Sequence, residues 1–259
     1  MINPENTGLA VERQSRIRKI LQDRGIVTVE DLCRELKVSG ATVRRDLADL
    51  DGQWHIRRVH GGAVSVGGPA EEPLFEDKAV IAAKEKQRIA EAALRYVQPK
   101  DSIFLDGGST VLALARLLTE RTGLTVVTNS LRVASALSGA GPRVILTGGE
   151  LRRLSQTFVG PLTSALISQI HVDTAFMGTI GLSADDGLTT TDPREAFTKD
   201  LAMARAKRVI LLADGSKLGK VSFVKFGSLP RVSVLITDAG AGSDELKRFR
   251  KMGIEVVKA

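Results

Sequence analysis

Apolar positions between residues 27 and 50 fall on two short helical stripes. Leu32 and Leu36 stand four apart, while Val43, Leu47 and Leu50 follow at i, i+4 and i+7, so each set occupies one helix face. Two such stripes so close together must face each other. The intervening Val38-Ser39-Gly40 has room only for a sharp turn, with Ser39 placed to cap the second helix and Thr28, ahead of Asp31, placed to cap the first. Upstream, Ile17, Ile20 and Leu21 share the buried face of a helix predicted over 13–23, which Gly25 ends.

With Val43, Leu47 and Leu50 inward, a rotation of about 100° per residue carries Ala41, Arg45 and Ala48 to the opposite side and Thr42 and Arg44 to its flanks. A helix with small and basic residues outward suits a major groove. Arginine's planar fork donates two hydrogen bonds to a guanine edge, or holds a phosphate. Residues 56–63, IRRVHGGA, read as a hairpin strand ending in a flexible Gly-Gly, a wing that lays Arg57, Arg58 and His60 along the sugar-phosphate backbone. Ser39, Ala41, Thr42, Arg44, Arg45, Arg57, Arg58 and His60 are thus the candidate contacts to double-stranded operator DNA.

Residues 65–73 have the Gly, Pro and Glu content of a linker. The expected organisation is a DNA-binding domain over 1–66, a linker over 67–76 and a second domain over 77–259. After a helix over 84–96, short apolar runs recur at 102–106, 124–128, 143–147, 172–177, 208–213, 232–237 and 254–257. Helical patterns at 110–118, 131–137, 162–170, 194–206 and 244–252 separate many of them. Such alternation predicts an α/β domain, a parallel sheet with helices on both faces.

In a parallel α/β sheet ligands bind beyond the carboxyl ends of the strands. There the sequence places Asp106-Gly107-Gly108-Ser109-Thr110, Thr128-Asn129-Ser130, Thr147-Gly148-Gly149, Gly178 and Asp214-Gly215-Ser216-Lys217. A Gly-Gly-Ser-Thr loop entering a helix presents N–H groups and hydroxyls at the positive end of the helix dipole, which suits a phosphate. Asp106 would repel that phosphate and is read as an acceptor for ligand hydroxyls, with Lys217 as the compensating charge. A polyol bearing a phosphate meets all three demands.

Composition narrows the picture. A formal charge of +7 favours an anionic partner, yet residues 1–62 hold 11 Lys and Arg against 9 Asp and Glu, so the DNA argument rests on placement. Cys33 is the only cysteine, which excludes an intrachain disulfide, and it is read as a small packing residue. No Cys/His cluster calls for a metal, and nothing calls for a cofactor. With eight Phe, one Trp and one Tyr, the core is aliphatic and stacking on single-stranded nucleic acid is disfavoured. No apolar run approaches the ~18 residues of a membrane span, and no signal peptide precedes the first helix, so a soluble cytoplasmic protein is expected.

The segment VSGATVRRDLADL followed by RRVHGGA resembles the DeoR family of bacterial transcription regulators, whose winged helix-turn-helix carries a VS..T.RRDL..L run and an R.HGGA close. Trp54 stands where that family usually has the glycine that opens the wing, with Gly52 two residues earlier. DGGST, TNS, TGGELR, FMG, the Glu195-to-Lys199 spacing and LADGSK resemble, in order and approximate spacing, the family's C-terminal sensor domain. That domain looks like the sugar-phosphate isomerase and CoA-transferase type of α/β fold. The resemblance covers nearly the whole chain after about residue 12.

It implies a repressor of a carbohydrate operon whose sensor binds a phosphorylated sugar. The implied effector contacts are Asp106, Gly107, Gly108, Ser109, Thr110, Thr128, Asn129, Gly148, Gly149, Gly178, Asp214 and Lys217. They extend to Arg152 as a bidentate phosphate clamp and to Glu195 and Lys199, which at i, i+4 read equally as a helix-surface ion pair. Val111 replaces the second Thr common after DGGST, and Gly215 replaces a common Ser. A single helix-turn-helix typically binds paired half-sites as a dimer, so a homo-oligomer is expected. Two other readings stay open. One is a sugar-phosphate isomerase with an appended DNA module, in which Asp106, Glu195 or Asp214 moves a proton beside a carbonyl and His171 is peripheral. The other is a module that binds a protein partner, against which Arg45 on the outward face argues.

Overall fold

Two side-chain caps and one left-handed residue shape the N-terminal part of the chain. The computed structural model describes residues 4–24, 26–51, 56–59, 61–65, 75–139 and 141–259. It opens with α1 (Pro4–Arg24), β1 (Ile26–Thr28), α2 (Val29–Leu36), α3 (Gly40–Leu50), β2 (Ile56–Val59) and β3 (Gly62–Ser65). Thr28 accepts a hydrogen bond from the Asp31 N–H at 3.1 Å to open α2, and Ser39 accepts from the Thr42 N–H at 3.2 Å to open α3. Lys37, at φ 54°, turns the chain between them.

Ile17, Leu21, Leu32, Val43, Leu47 and Leu50 meet in one core with Val27, Ile56 and Ala63, and half-buried Cys33 packs against it. α1 begins at Pro4 rather than Arg13. Its first turns carry no apolar stripe for a sequence pattern to detect, while proline is well suited to a first helical position. The expected stop at Gly25 lies outside the described residues.

The wing differs from expectation in one respect. β3 is the middle strand of a three-stranded antiparallel sheet, β1-β3-β2, and Val59 pairs with Gly62. Gly62 is therefore no flexible end. A Cβ there would lie 2.0 Å from the Val27 carbonyl oxygen, so only glycine lets β3 approach β1.

The chain divides into two units, Met1–Glu71 and Glu72–Ala259. The second contains α4 (Phe75–Val80), α5 (Ala83–Ala93), β4 (Ser102–Leu105), α6 (Ser109–Arg116), β5 (Thr125–Thr128), α7 (Leu131–Ala136) and β6 (Arg143–Leu146). It continues with β7 (Glu150–Arg152), β8 (Thr157–Val159), α8 (Pro161–Gln169), β9 (Val172–Met177), β10 (Gly181–Ser183), β11 (Gly187–Thr190) and α9 (Pro193–Ala204). β12 (Ala206–Leu212), β13 (Val224–Gly227), β14 (Val234–Thr237), α10 (Ser243–Lys251) and β15 (Glu255–Lys258) complete it. Phe75, inside the expected linker, is instead buried in this unit beneath the Arg132 guanidinium, 5.3 Å from the ring centre.

The seven apolar runs form one sheet, ordered β15-β14-β12-β9-β4-β5-β6, and every neighbouring pair is parallel. Alternation along β12 sends Val209 and Leu211 to one core with α8, α9 and α10. Ile210 and Leu212 go to the other, with α5, α6 and α7. Both faces are covered, as the continuous apolar strands require. The hairpin β7-β8 and the small antiparallel sheet β10-β11-β13 have no such runs and were not expected.

Candidate functional site

On α3, the inward stripe of Val43, Leu47 and Leu50 leaves Ala41, Arg44, Arg45 and Ala48 exposed. Asp46 points inward as well, where Arg13 of α1 grips it through Nε at 2.5 Å and Nη2 at 2.9 Å. One carboxylate of the helix is thereby internalised and neutralised, and neither Arg44 nor Arg45 pairs with a carboxylate among the described residues. The outward face keeps its positive charge. Ser39 and half-buried Thr42 serve the cap, their hydroxyls 2.9 Å apart. Arg58 is exposed on β2, its N–H donating to Asp51 Oδ1 at 2.8 Å. The Arg57 side chain, His60, Gly52 and Trp54 lie outside the described residues.

In the second unit, the chain reverses its direction across the sheet between the neighbouring strands β4 and β9, and a cavity opens at their carboxyl ends. Gly108, at φ 134°, turns the chain into α6, whose first residues Ser109 and Thr110 line the cavity with the N–H groups of its first turn. At Gly107 a Cβ would lie 2.2 Å from Thr157 Cγ2, so a larger residue there requires the Thr157 side chain to shift. Asn129 comes from the end of β5, Gly178 from β9, and Asp214 and Lys217 from the turn after β12.

The charges are held tightly. Asp106 is almost fully buried and receives, on Oδ2, both the Lys199 ammonium and the Gly178 N–H at 3.0 Å. Burial pushes its carboxyl above the usual range, and the Lys199 charge opposes that shift. Lys199 also donates to the Gly178 carbonyl at 3.2 Å. Glu195 accepts from Thr157 at 2.8 Å and Thr190 at 3.4 Å, and its neighbour Asp192 caps α9. Asn129 donates to the Phe158 carbonyl, but its buried Oδ1 has no partner among the described residues. Such an orphaned acceptor calls for a donor from a ligand or water.

Lys86 was not anticipated. Its ammonium lines the same cavity, donating to the Ile81 carbonyl at 2.5 Å and to that of Lys78. Burial lowers its pKa to about 8, with Asp214 acting in the opposite sense. The sequence did carry a signal: Lys86 shares a helix face with Ile89, Ala90 and Ala93, where a charge is out of place. Ser155 and Thr157, from the unexpected β7-β8 hairpin, also reach the wall.

Several anticipated contacts lie elsewhere. Thr128 is fully buried and spends its hydroxyl on the Leu105 carbonyl at 2.6 Å, tying β5 to β4. Gly148 and Gly149 follow the edge strand β6, and Thr163 of α8 donates to the Gly148 carbonyl at 2.5 Å. Arg152 does not itself line the cavity; it stands behind the wall, binding Asp192 at 3.2 Å and the lining residue Glu195 at 3.4 Å. Glu195 and Lys199 are no helix-surface pair, since both are buried and reach different partners. Val111 is buried at the wall, and a Cβ at Gly215 would lie 3.1 Å from the Ala241 backbone, a tight approach. His171 stands exposed before β9. Among the described residues no cluster of His, Cys, Asp and Glu is arranged to hold a metal ion, and no helix is long and apolar enough to cross a membrane.

Residues 13–67 match the DeoR-like helix-turn-helix domain, and residues 81–239 match the DeoR C terminal sensor domain. The chain is 37% identical over 249 residues to the HTH-type transcriptional regulator GlpR of Haloferax volcanii, covering 96% of this chain and 98% of that one. It is 35% identical to a putative aga operon transcriptional repressor of Escherichia coli O157:H7, covering 95% and 93% of the two chains. It is 34% identical to the glycerol-3-phosphate regulon repressor of Escherichia coli K12, covering 88% and 90%.

Proposed function

Because this chain belongs to the DeoR family of transcription regulators, we propose that α3 and the β2-β3 wing hold operator DNA while the cavity takes a phosphorylated sugar that alters that hold. It is a DNA-binding regulator, not an isomerase with an added module. Arg45 and Arg44 meet base edges or phosphates in the major groove, and Arg57, Arg58 and His60 follow the backbone beside it. One helix-turn-helix reads one half-site, so the binding species is a dimer or a higher oligomer.

The observation that carries the effector reading is the meeting of two chemistries in one cavity. The first turn of α6 and Lys217 favour an anion, while Asp106, Glu195 and the unpartnered Asn129 Oδ1 favour sugar hydroxyls. A neutral sugar satisfies only the second set, and a bare anion only the first. The name of the Escherichia coli K12 relative, glycerol-3-phosphate regulon repressor, supports the same class of ligand.

Calorimetry tests this with glycerol 3-phosphate and a panel of pentose and hexose phosphates, each beside its unphosphorylated counterpart. A preference of about tenfold or more for a phosphorylated form, roughly 1.4 kcal/mol, is expected. Equal affinity with and without phosphate overturns the reading. The effective compound should also change affinity for the DNA upstream of this gene or its neighbours, with a coupling of about 1–3 kcal/mol.

The wing has its own test. Each arginine that neutralises a phosphate steepens the fall of log affinity with log salt by about one unit. The double variant Arg57→Ala/Arg58→Ala is therefore expected to flatten that plot. An unchanged slope removes the wing from the interface.

A further inference from the structure

Two phenylalanines of the second unit stand in water. Phe197, on the outer side of α9, is 61% exposed and Phe223, immediately before β13, is 79% exposed, while Phe75, Phe104, Phe176, Phe226 and Phe249 are all buried. Phe197 borders a groove between α9 and β13 that Pro193, Val224 and Phe226 also line. Val224 pairs with Thr190, a few residues ahead of Pro193, so the start of β13 lies beside the first turn of α9. Phe223 therefore stands at the same end of the groove as Pro193, with exposed Val221 just before it.

A fully buried aromatic side chain removes ~150–250 Å² from water, so the two rings at these exposures present roughly 200–350 Å² per chain. A stable interface takes about 800 Å² from each partner, and the two rings alone would supply roughly a quarter or more of it. The charge around them suits a partner identical to the chain itself. A two-fold interface sets a patch against its own copy, so several charges of one sign would repel. Here Arg231 donates to the Asp200 carboxylate and, at 3.0 Å, to the Asp200 carbonyl, which leaves exposed Lys225 as the one further charge among the lining residues. In a chain of net charge +7 this ground is close to neutral.

We propose that the groove between α9 and β13, flanked by Phe197 and Phe223, is where a second copy of this chain docks. This rests on the reading above that operator DNA is held at paired half-sites, which requires two copies to be joined. Phe197 and Phe223 are the aromatic anchors, and the Asp200–Arg231 pair lies at the polar margin. Phe226, the buried floor, has a different tie: the Lys199 ammonium lies 5.2 Å from its ring centre and binds Asp106 in the cavity. The exposed rings can be changed without touching that contact.

Analytical ultracentrifugation of the full chain over a range of concentrations tests this, with Phe197→Glu, Phe223→Glu and the double variant beside the wild type. The wild type is expected to sediment as a dimer or higher oligomer. The double variant should move to a smaller species, its dissociation constant raised by about a hundredfold or more, with an unchanged circular dichroism spectrum. Should the double variant lose helical signal, each single variant gives the same reading. Phe197→Leu/Phe223→Leu keeps most of the apolar area and should stay assembled. Leu162→Glu is the control: that side chain is 74% exposed on α8, outside the groove, and its replacement should leave assembly unchanged. A wild-type oligomer that the glutamate variants leave intact, or that Leu162→Glu breaks instead, overturns the docking surface, and the paired half-site reading stands. A wild type that is monomeric both free and on operator DNA overturns the two together.

Discussion

Lys199→Met is expected to destabilise the second unit by about 3–5 kcal/mol, because it leaves the Asp106 carboxylate buried without its cation. The Gly178 N–H remains as a partner but cannot neutralise the charge. Chemical denaturation of the full chain, followed by circular dichroism, measures the loss. Burial already holds the Asp106 carboxyl above its ordinary range, and removing Lys199 raises it further. A carboxyl whose folded-state pKa is raised stabilises the fold as it protonates, so the deficit should shrink as pH is lowered from 7 towards 4. Lys199→Met/Asp106→Asn removes both charges and should recover much of the stability. A deficit below about 1 kcal/mol at pH 7 would show that water reaches Asp106 and that the pair is not buried in solution.

Arg45→Ala is expected to lower operator affinity by about 1–3 kcal/mol, roughly fivefold to 150-fold, without disturbing the fold. Arg45 is exposed on α3 opposite Val43, Leu47 and Leu50, and its removal disrupts no ion pair among the described residues. Asp46→Ala makes a useful contrast. It removes the partner of Arg13, so its first effect should be on the packing of α1 against α3 rather than on a base. Gel-shift titration beside circular dichroism separates the two. An Arg45→Ala protein that binds operator like the wild type would remove α3 from its assigned place in the groove.

Interactions spanning only a few residues were legible before the structure. Thr28 capping Asp31, Ser39 capping Thr42 and the inward stripe of α3 depend on neighbours within one or two helical turns. The seven apolar runs were legible for a related reason: a strand buried on both faces needs a continuous apolar stretch, whatever its partners. The helix that follows the Gly-Gly-Ser-Thr run was legible too, and with it the position of Asp106 at a strand end.

Strand order was not legible, and it decided which of the loops could share a cavity. β4, β5, β9 and β12 are consecutive across the sheet, so Asp106, Asn129, Gly178 and Lys217 converge, while β6 lies at the edge and leaves Gly148 and Gly149 packed against α8. A glycine pair ending a strand looks the same in sequence in either position. The charge pairs were hidden for the same reason. Lys199 turned to Asp106 rather than Glu195, Arg13 found Asp46, and Lys86 reached the cavity through a bend at Ala82. Local sequence determines which helices and strands form, because caps and periodicity act over a few residues. Burial and pairing of charge are decided by groups tens of residues apart, which only the packed sheet and its covering helices bring within hydrogen-bond reach.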